Sequence, residues 1–105
     1  MNESSFAMHV VEEAPALRVA LSGRLDTITA PEFQAQVLPL VEGASSCIID
    51  CSGLSYLSSA GLRTFLLVHK RLMSSGARLA LDGVAPAVRE VLDLTGFSGI
   101  FDVLG

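Results

Sequence analysis

Residues 55–67 read SYLSSAGLRTFLL and join a strand-like apolar run to a helix-like one. Two adjacent hydroxyl side chains, Ser58 and Ser59, lie at the junction. Serine is a favoured N-cap residue, because its side-chain oxygen accepts a backbone N–H that the first helical turn leaves unpaired. A hydroxyl at a helix start is also a place where a phosphate can be attached and recognised. The stretch therefore predicts a strand-to-helix turn and leaves both interpretations of the serines open.

The residues after this junction predict a long helix, from about residue 60 to about residue 75. Six side chains recur at helical spacing and form one predicted buried stripe: Leu62, Phe65, Leu66, His69, Leu72 and Met73. The cations Arg63, Lys70 and Arg71 lie mostly off this stripe. Gly76 is expected to end the helix, since glycine readily adopts the left-handed conformation that follows many helices.

The residues before the junction include CIIDC at 47–51, a continuous apolar run that predicts the central strand of a sheet. Asp50 ends this predicted strand, and residues 52–59 are predicted to form a loop. Cys47 and Cys51 would face the same side of the strand about 13 Å apart, which is too far for a disulfide. Two cysteines with no histidine nearby in sequence are also too few for a zinc site, so both are interpreted as core residues.

Further strands and helices are predicted on both sides of this region. Strands are expected at residues 6–13, 17–21, 77–83 and 100–104. Thr29 and Glu32 have the spacing of a capping box that begins one helix, which Pro39 is expected to kink or shorten. Another helix is expected to begin at Pro86. The order β-β-α-β-α-β-α-(β) predicts an α/β fold, a single domain over residues 1–105 with a small mixed sheet and about three to four helices.

The composition is that of a folded chain: 105 residues, 50% hydrophobic and 17% charged, with a mean hydropathy of +0.54. A charged residue interrupts every long apolar run, so no membrane span is expected. The N-terminal residues lack the basic and apolar segments of a secretory signal, and a cytoplasmic location is expected. The net charge of −4 disfavours direct binding to nucleic acid and suits a partner with a basic patch.

The sequence contains none of the common catalytic patterns, such as G-x-G-x-x-G, the phosphate-binding loop or G-x-S-x-G. His69 lies about 15 Å beyond Ser59 on the predicted helix, too far to act as a base for that hydroxyl. We therefore expect a protein that is not an enzyme and that needs no metal or cofactor. Asp26 and Asp50, beside the ends of predicted strands, either line a binding crevice or are ordinary turn and cap residues.

Two stretches in order, GRLDTITA at 23–30 and IIDCSGLSYLSSAGL at 48–62, resemble the two signatures of the anti-sigma-factor antagonist family, the STAS domain. The resemblance covers nearly the whole chain. It implies a protein that binds an anti-sigma factor that is also a serine kinase, and that is released when its serine is phosphorylated. A metal-dependent serine phosphatase would then reset it. By position the phosphorylated serine is Ser59, and the partner-binding residues implied are Gly23, Asp26, Thr27, Asp50, Ser58, Ser59, Gly61, Leu62 and Arg63.

Two positions depart from the family pattern. Ser58 stands where the family has an acidic residue, which makes it an alternative phosphate acceptor, and Ala60 stands where Ser or Thr is usual. Domains of this type also serve as scaffold subunits beside lipid-transport ATPases or in sensory assemblies. In that alternative function no phosphate is needed, and the two serines only cap a helix.

Overall fold

The computed structural model describes residues 6–104. The strands are β1 (Phe6–Glu12), β2 (Ala16–Leu25), β3 (Ser46–Leu57), β4 (Leu79–Asp82) and β5 (Asp102–Val103), and the helices are α1 (Ala30–Val41), α2 (Ser59–Met73) and α3 (Pro86–Thr95), with a 3₁₀ turn at Phe97–Gly99. The sheet order is β1-β2-β3-β4-β5; β1 is antiparallel to β2, and the other neighbours are parallel. The predicted α/β fold, mixed sheet and element order are confirmed.

The helices cover one face of the sheet. From β2 to β5 each parallel strand is added beside the previous one in the same direction, so right-handed crossovers place all three helices on the same side. The strand residues that face them are at most 2% exposed: Leu17, Val19, Leu21, Cys47, Ile49 and Cys51. Four phenylalanines, Phe6, Phe33, Phe65 and Phe101, cross this core in edge-to-face contacts, with ring centroids 5.7, 5.9 and 6.2 Å apart. These contacts join β1, α1, α2 and the segment before β5.

Both cysteines are core residues, as predicted. Cys47 and Cys51 are free and buried in β3. Burial raises the pKa of the Cys47 thiol to about 11 and that of the Cys51 thiol to about 12. Because the thiolate is the reactive form, neither thiol is reactive near neutral pH.

The strands β2 and β3 are both longer than predicted, and Asp50 does not end β3. The loop predicted from residue 52 is instead paired with β2 as far as Leu57. The pairing contains two bulges. At the first, the paired residues change from Ala20↔Asp50 to Ser22↔Gly53, and at the second from Gly23↔Leu54 to Arg24↔Tyr56. Each bulge inserts extra residues into β3 and resets the in–out alternation. The prediction failed because the backbone ladder continues where the side-chain alternation breaks down.

Gly53 makes the first bulge possible. A Cβ at this position would lie 2.8 Å from the carbonyl oxygen of Leu21, closer than real contacts allow. Across the bulges, buried residues recur at every third position, Cys51, Leu54 and Leu57, with exposed residues between them. This spacing is neither that of a strand nor that of a helix, so the periodicity of the sequence could not reveal it.

The start of α1 differs from the predicted capping box. Thr29 has helical backbone angles and its side chain makes no capping hydrogen bond. The cap is Asp26, whose Oδ1 accepts the backbone N–H groups of Ile28 and Thr29, each at 3.0 Å. The predicted shortening at Pro39 is also wrong, since the helix continues to Val41. Pro39 is exposed in the last turn of α1, where water can satisfy the carbonyl that its missing N–H leaves free.

The buried stripe of α2 is confirmed for four of the predicted residues, Leu62, Phe65, His69 and Leu72. Leu66 is only half-buried, and Met73 is 55% exposed. Gly61, Thr64 and Val68 are buried instead, because α2 packs against α1 as well as against the sheet. Gly76 has a φ of +81° just after the helix, as predicted.

His69 is a core residue, with 4% of its surface exposed. Its Nδ1 accepts the backbone N–H of Leu79 at 3.2 Å, and its ring packs edge-on against Phe101. Desolvation and the nearby Arg78 guanidinium lower the pKa of His69, and Asp102 opposes this effect. The imidazole is thus held neutral and engaged in the core.

The remaining elements agree with the predictions to within a few residues. β1 ends at Glu12, α3 begins at Pro86 as predicted, and β4 and β5 are shorter than the ranges 77–83 and 100–104. Within residues 6–104, no helix is both long enough and apolar enough to cross a membrane.

Candidate functional site at the start of helix α2

The strands β2 and β3 end side by side, which brings two loop segments together. Leu25 and Leu57 are the last paired residues of these parallel strands. The backbone N–H of Ser58 then donates to the Leu25 carbonyl at 2.9 Å, which ties the start of α2 to the end of β2. The segments that follow, 26–29 and 58–61, therefore form one edge of the molecule, where parallel sheets generally bind their partners.

The two serines at this edge have different surroundings. Ser58 is the N-cap of α2: it has extended backbone angles, and its hydroxyl accepts the Gly61 N–H at 3.4 Å. Ser59 is the first residue of the helix, is exposed, and has no hydrogen-bond partner for its hydroxyl among residues 6–104. Although the sequence left both serines open as caps, the capping hydroxyl belongs to Ser58, and that of Ser59 points to no described acceptor.

Gly61 sets how closely α2 approaches the strands. It is buried, and a Cβ there would lie 2.7 Å from Leu57 Cδ1 and 2.8 Å from Leu25 Cγ. Any larger residue would push the first turn of α2, with Ser59, away from the sheet. Leu62 next to it is 3% exposed and belongs to the core. Gly23, with a φ of +90°, lies within β2 and not at this edge.

Asp26 and Thr29 brace the loop between β2 and α1. The hydroxyl of Thr29 donates to the Arg24 carbonyl at 2.8 Å and accepts the Asp26 N–H at 2.9 Å. Hydrogen bonds from the backbone N–H groups of Thr29 and Ile28 lower the pKa of Asp26, despite some desolvation, so the carboxylate is ionised at neutral pH. The interpretation of Asp26 as a cap residue is therefore confirmed. The buried brace at Thr29 was missed, because the capping-box spacing suggested another use for the same hydroxyl.

Asp50 is not part of this edge. It pairs with Ala20, five residues before Leu25, so it lies about 16 Å back along the sheet. Its Oδ1 accepts the Ser52 N–H at 2.9 Å, and this hydrogen bond lowers the pKa of Asp50. The prediction that Asp50 lies, like Asp26, beside the end of a strand is therefore wrong, because β3 continues past it.

The edge also carries the predicted Arg63 and several exposed residues that the sequence did not single out. Ile28, between Thr27 and Thr29, is 83% exposed, and the guanidinium of Arg24 lies 4.2 Å from the ring centroid of Tyr56. Arg63 is exposed one turn beyond Ser59. A small cavity of about 310 Å³ lies on the α3 side of α2, lined by Ser59, Leu62, Arg63, Leu66, Thr95 and Phe97. An exposed isoleucine inside a polar loop was the one signal in the sequence that could have marked this surface.

The chemistry of the edge is that of a binding surface. His69, the one histidine near Ser59 in sequence, is bonded to Leu79 in the core and cannot serve as its base. Within residues 6–104, no group of three or more His, Cys, Asp or Glu residues is placed to hold a metal ion. The edge therefore presents an exposed hydroxyl beside apolar and cationic side chains.

Comparisons with known proteins specify the class of protein. The sequence model of one family, described as “Mlab, STAS domain”, matches residues 8–104, and the chain belongs to this family. The predicted resemblance is therefore confirmed. A putative anti-sigma factor antagonist of Bordetella bronchiseptica, BtrV, is 38% identical over 88 residues, which are 83% of this chain and 76% of BtrV. The anti-sigma-B factor antagonist of Bacillus subtilis is 28% identical over 87 residues, 83% of this chain and 80% of that protein.

Solved structures show the same fold. The crystal structure of an anti-sigma factor antagonist from Mycobacterium paratuberculosis has a TM-score of 0.83 at 25% identity, covering 94% of this chain and 85% of that one. The anti-sigma factor antagonist SpoIIAA in its unphosphorylated form has a TM-score of 0.79 at 20% identity, covering 95% of this chain and 88% of that one. At that identity the likeness to SpoIIAA concerns the fold alone.

Proposed function

We propose that this protein is an anti-sigma-factor antagonist that is switched by phosphorylation of Ser59. Unphosphorylated, it binds an anti-sigma factor that is also a serine kinase, and the sigma factor is freed for transcription. Phosphorylated, it is released, and a metal-dependent serine phosphatase resets it. In this proposal the chain acts in the cytoplasm as a single domain, residues 1–105, through binding and not through catalysis.

The observation that carries the proposal is the contrast between the two serines. Ser58 uses its hydroxyl to cap α2, while Ser59 is exposed and its hydroxyl is unpaired among the described residues. A kinase can reach Ser59 without breaking the cap. Modification of Ser58 would place a bulky phosphate on the hydroxyl that accepts the Gly61 N–H, beside the tightly packed first turn of α2. These facts favour Ser59 over the alternative acceptor Ser58.

The physical setting of Ser59 can hold a phosphate without unfolding the domain. A phosphoserine carries a charge of about −1.5 to −2, and the N-terminus of α2 provides free N–H groups and a partial positive charge. Arg63 lies one helical turn further on, at the spacing at which helix side chains meet. Such local effects amount to about 0.3–2 kcal/mol, whereas domains are stable by about 5–15 kcal/mol. The fold is therefore expected to stay the same in both states.

The effect of the phosphate must then be felt by the partner. The surface around Ser59 is partly apolar, with Ile28 exposed, and the Asp26 carboxylate is already ionised in the neighbouring loop. A dianion placed in such an interface must be desolvated beside an existing negative charge. The cost is several kcal/mol, and each 1.4 kcal/mol weakens the complex about tenfold.

The test is to incubate the protein with its cognate kinase and ATP, and to measure the intact mass and the modified peptide. We expect one phosphate on the wild type and on Ser58→Ala, and none on Ser59→Ala. Ser58→Ala is the matched control, because it removes the adjacent hydroxyl and leaves Ser59 in place. Phosphate on Ser59→Ala, or its loss from a folded Ser58→Ala, would overturn the assignment.

A scaffold subunit of a transporter or sensory assembly is the second candidate function. It is favoured by Ser58, which stands where the family has an acid and serves as a plain helix cap. Ser59→Asp separates the two functions: under the switch it weakens partner binding, and in a scaffold partner binding is unchanged. Binding of each variant to the co-purified partner can be measured by calorimetry.

A further inference from the structure

A groove lies between α1 and α2. Its volume is about 860 Å³, and it extends along α2 from Ala60 to Lys70, on the other side of that helix from the small cavity beside Ser59. Its floor is apolar and is formed mainly by Ala30, Pro31, Ala35, Leu38, Pro39 and Leu67. Ala35 and Pro39 are exposed to solvent along the α1 wall. Apolar grooves between helices are a common docking place for a further helix.

The charges around this groove have one sign. The only ionisable side chains that line it are Arg63 and Lys70, both on the α2 wall. The chain as a whole carries a net charge of −4, so a purely cationic rim is the opposite of the average surface.

These two cations are also the ones without an internal partner. The sequence contains seven Lys and Arg residues. Five form ion pairs with carboxylates within the described part of the chain: Arg18, Arg24, Arg71, Arg78 and Arg89. Arg63 and Lys70 make no ion pair or side-chain hydrogen bond to residues 6–104. Both cations that have no ion-pair partner among the described residues therefore line the same groove.

We propose that the groove docks an acidic amphipathic helix of a partner protein. Arg63 and Lys70 are seven residues apart on α2, or about 10.5 Å along the helix axis. A helix lying nearly parallel to α2 presents carboxylates at the same distance when they too are seven residues apart. Its apolar face would cover Ala35, Leu38 and Leu67, and its two carboxylates would meet the two cations. This docking surface shares Arg63 with the edge beside Ser59, but the proposal does not require Ser59 to be phosphorylated.

The proposal can be tested by selection from a display library of helix-forming peptides of about 14 residues, which span about 21 Å. The apolar positions are fixed, and all remaining positions are randomised among Glu, Lys and Gln. The full chain is the bait. We expect enrichment of peptides with Glu at two positions seven residues apart. In ¹⁵N-labelled protein, the enriched peptides should shift the amide resonances of Ala35 and Leu67.

Variants of α2 provide the matched comparison. Binding of an enriched peptide, measured by fluorescence anisotropy, should weaken by about three- to tenfold in Arg63→Gln and in Lys70→Gln. Arg71→Gln is the control, because Arg71 lies next to Lys70 on the same helix but pairs with Glu42 outside the groove. All three side chains are exposed, so each variant is expected to fold, and thermal unfolding verifies this.

Three results would overturn the proposal. The first is a selection with no enrichment, or with enrichment of Lys or Gln. The second is equal weakening by Lys70→Gln and Arg71→Gln, or shifts confined to the residues around Ser59. The third is a dimer in sedimentation experiments that Lys70→Gln dissociates, since the groove would then be occupied by a second copy of this chain.

Discussion

The two ends of α2 each carry a glycine, for opposite physical reasons. Gly61, in the first turn, is buried so tightly that a Cβ would lie 2.7 Å from Leu57 Cδ1. Gly76, after the last turn, has a φ of +81° and nothing within 4 Å of the place where a Cβ would be. The glycine at the start of the helix therefore allows close packing on the strand ends, whereas the glycine after its end provides only a left-handed backbone. The tightly packed glycine is at the end that carries Ser59.

The largest expected effect is that of Gly61→Ala. Forcing a methyl group against Leu57 and Leu25 should destabilise the fold by about 1–3 kcal/mol and displace the first turn of α2. Urea unfolding measures the free energy, and the amide resonances of Ser58 and Ser59 report the displacement. Gly76→Ala is the control: it should cost about 1 kcal/mol through its left-handed backbone and leave those resonances unchanged. If both variants shifted Ser59 equally, the contrast between the two ends would be wrong.

Thr29→Val tests the brace on the β2 side of the same edge. The variant keeps the shape of the side chain but loses the hydrogen bonds to the Arg24 carbonyl and from the Asp26 N–H. Leaving these partly buried groups unpaired should lower the unfolding free energy by about 1–2 kcal/mol. Thr27→Val, at an exposed neighbouring position, should change it by less than about 0.5 kcal/mol. An equal effect of the two substitutions in calorimetry would show that Thr29 is not a brace.

The C-terminal half of α2 should show a pH dependence through His69. Its pKa is lower in the folded protein than the ordinary 6.5, so the unfolded chain binds the proton more readily. The stabilisation is complete above about pH 6.5 and is lost as the pH falls through the folded pKa. Unfolding free energies measured in steps below neutrality should therefore decline, and less steeply in His69→Gln. A wild type and variant with parallel pH profiles would contradict this assignment.

The smallest effects are expected at the two serines themselves. Ser58→Ala removes the cap of α2 and should cost about 0.5–2 kcal/mol. Ser59→Ala removes an exposed hydroxyl without a described partner and should change stability by less than about 0.5 kcal/mol. Thermal unfolding of the two variants in parallel measures both changes. A larger loss of stability in Ser59→Ala than in Ser58→Ala would show that Ser59, and not Ser58, caps α2.

The sequence predicted the fold where local pattern and tertiary structure agree. The strand-to-helix junction at Ser58, the helix beginning at Pro86 and the glycine after α2 were all predicted from short-range chemistry that the fold leaves intact. The succession of strands and helices also correctly predicted the element order and the mixed sheet, and two motifs in order correctly predicted the family.

The failures have two causes: contacts between segments far apart in sequence, and a competing local use of the same side chain. The bulged half of β3 is held as a strand by its pairing with β2. The side-chain pattern of residues 52–57 therefore could not predict a strand there. Thr29 fits a capping box locally, but Asp26 takes the cap, and the hydroxyl of Thr29 is used by Arg24. Asp50 was placed near Ser59 because the strand was expected to end there. The groove between α1 and α2 depends on the packing of two helices, and no local pattern specifies it.

The stacking of Arg24 on Tyr56 also places an intrinsic fluorophore at this edge of the molecule. Tyr56 is the only tyrosine, and the chain contains no tryptophan. Tyr56 is 41% exposed and is the second-last residue of β3. Nearly all intrinsic ultraviolet emission therefore originates two residues before Ser58. A partner that covers this edge, or displaces the guanidinium from the ring, changes the emission of one known fluorophore. Complex formation at this edge can therefore be followed on the unlabelled protein, provided that the partner itself contains no tryptophan.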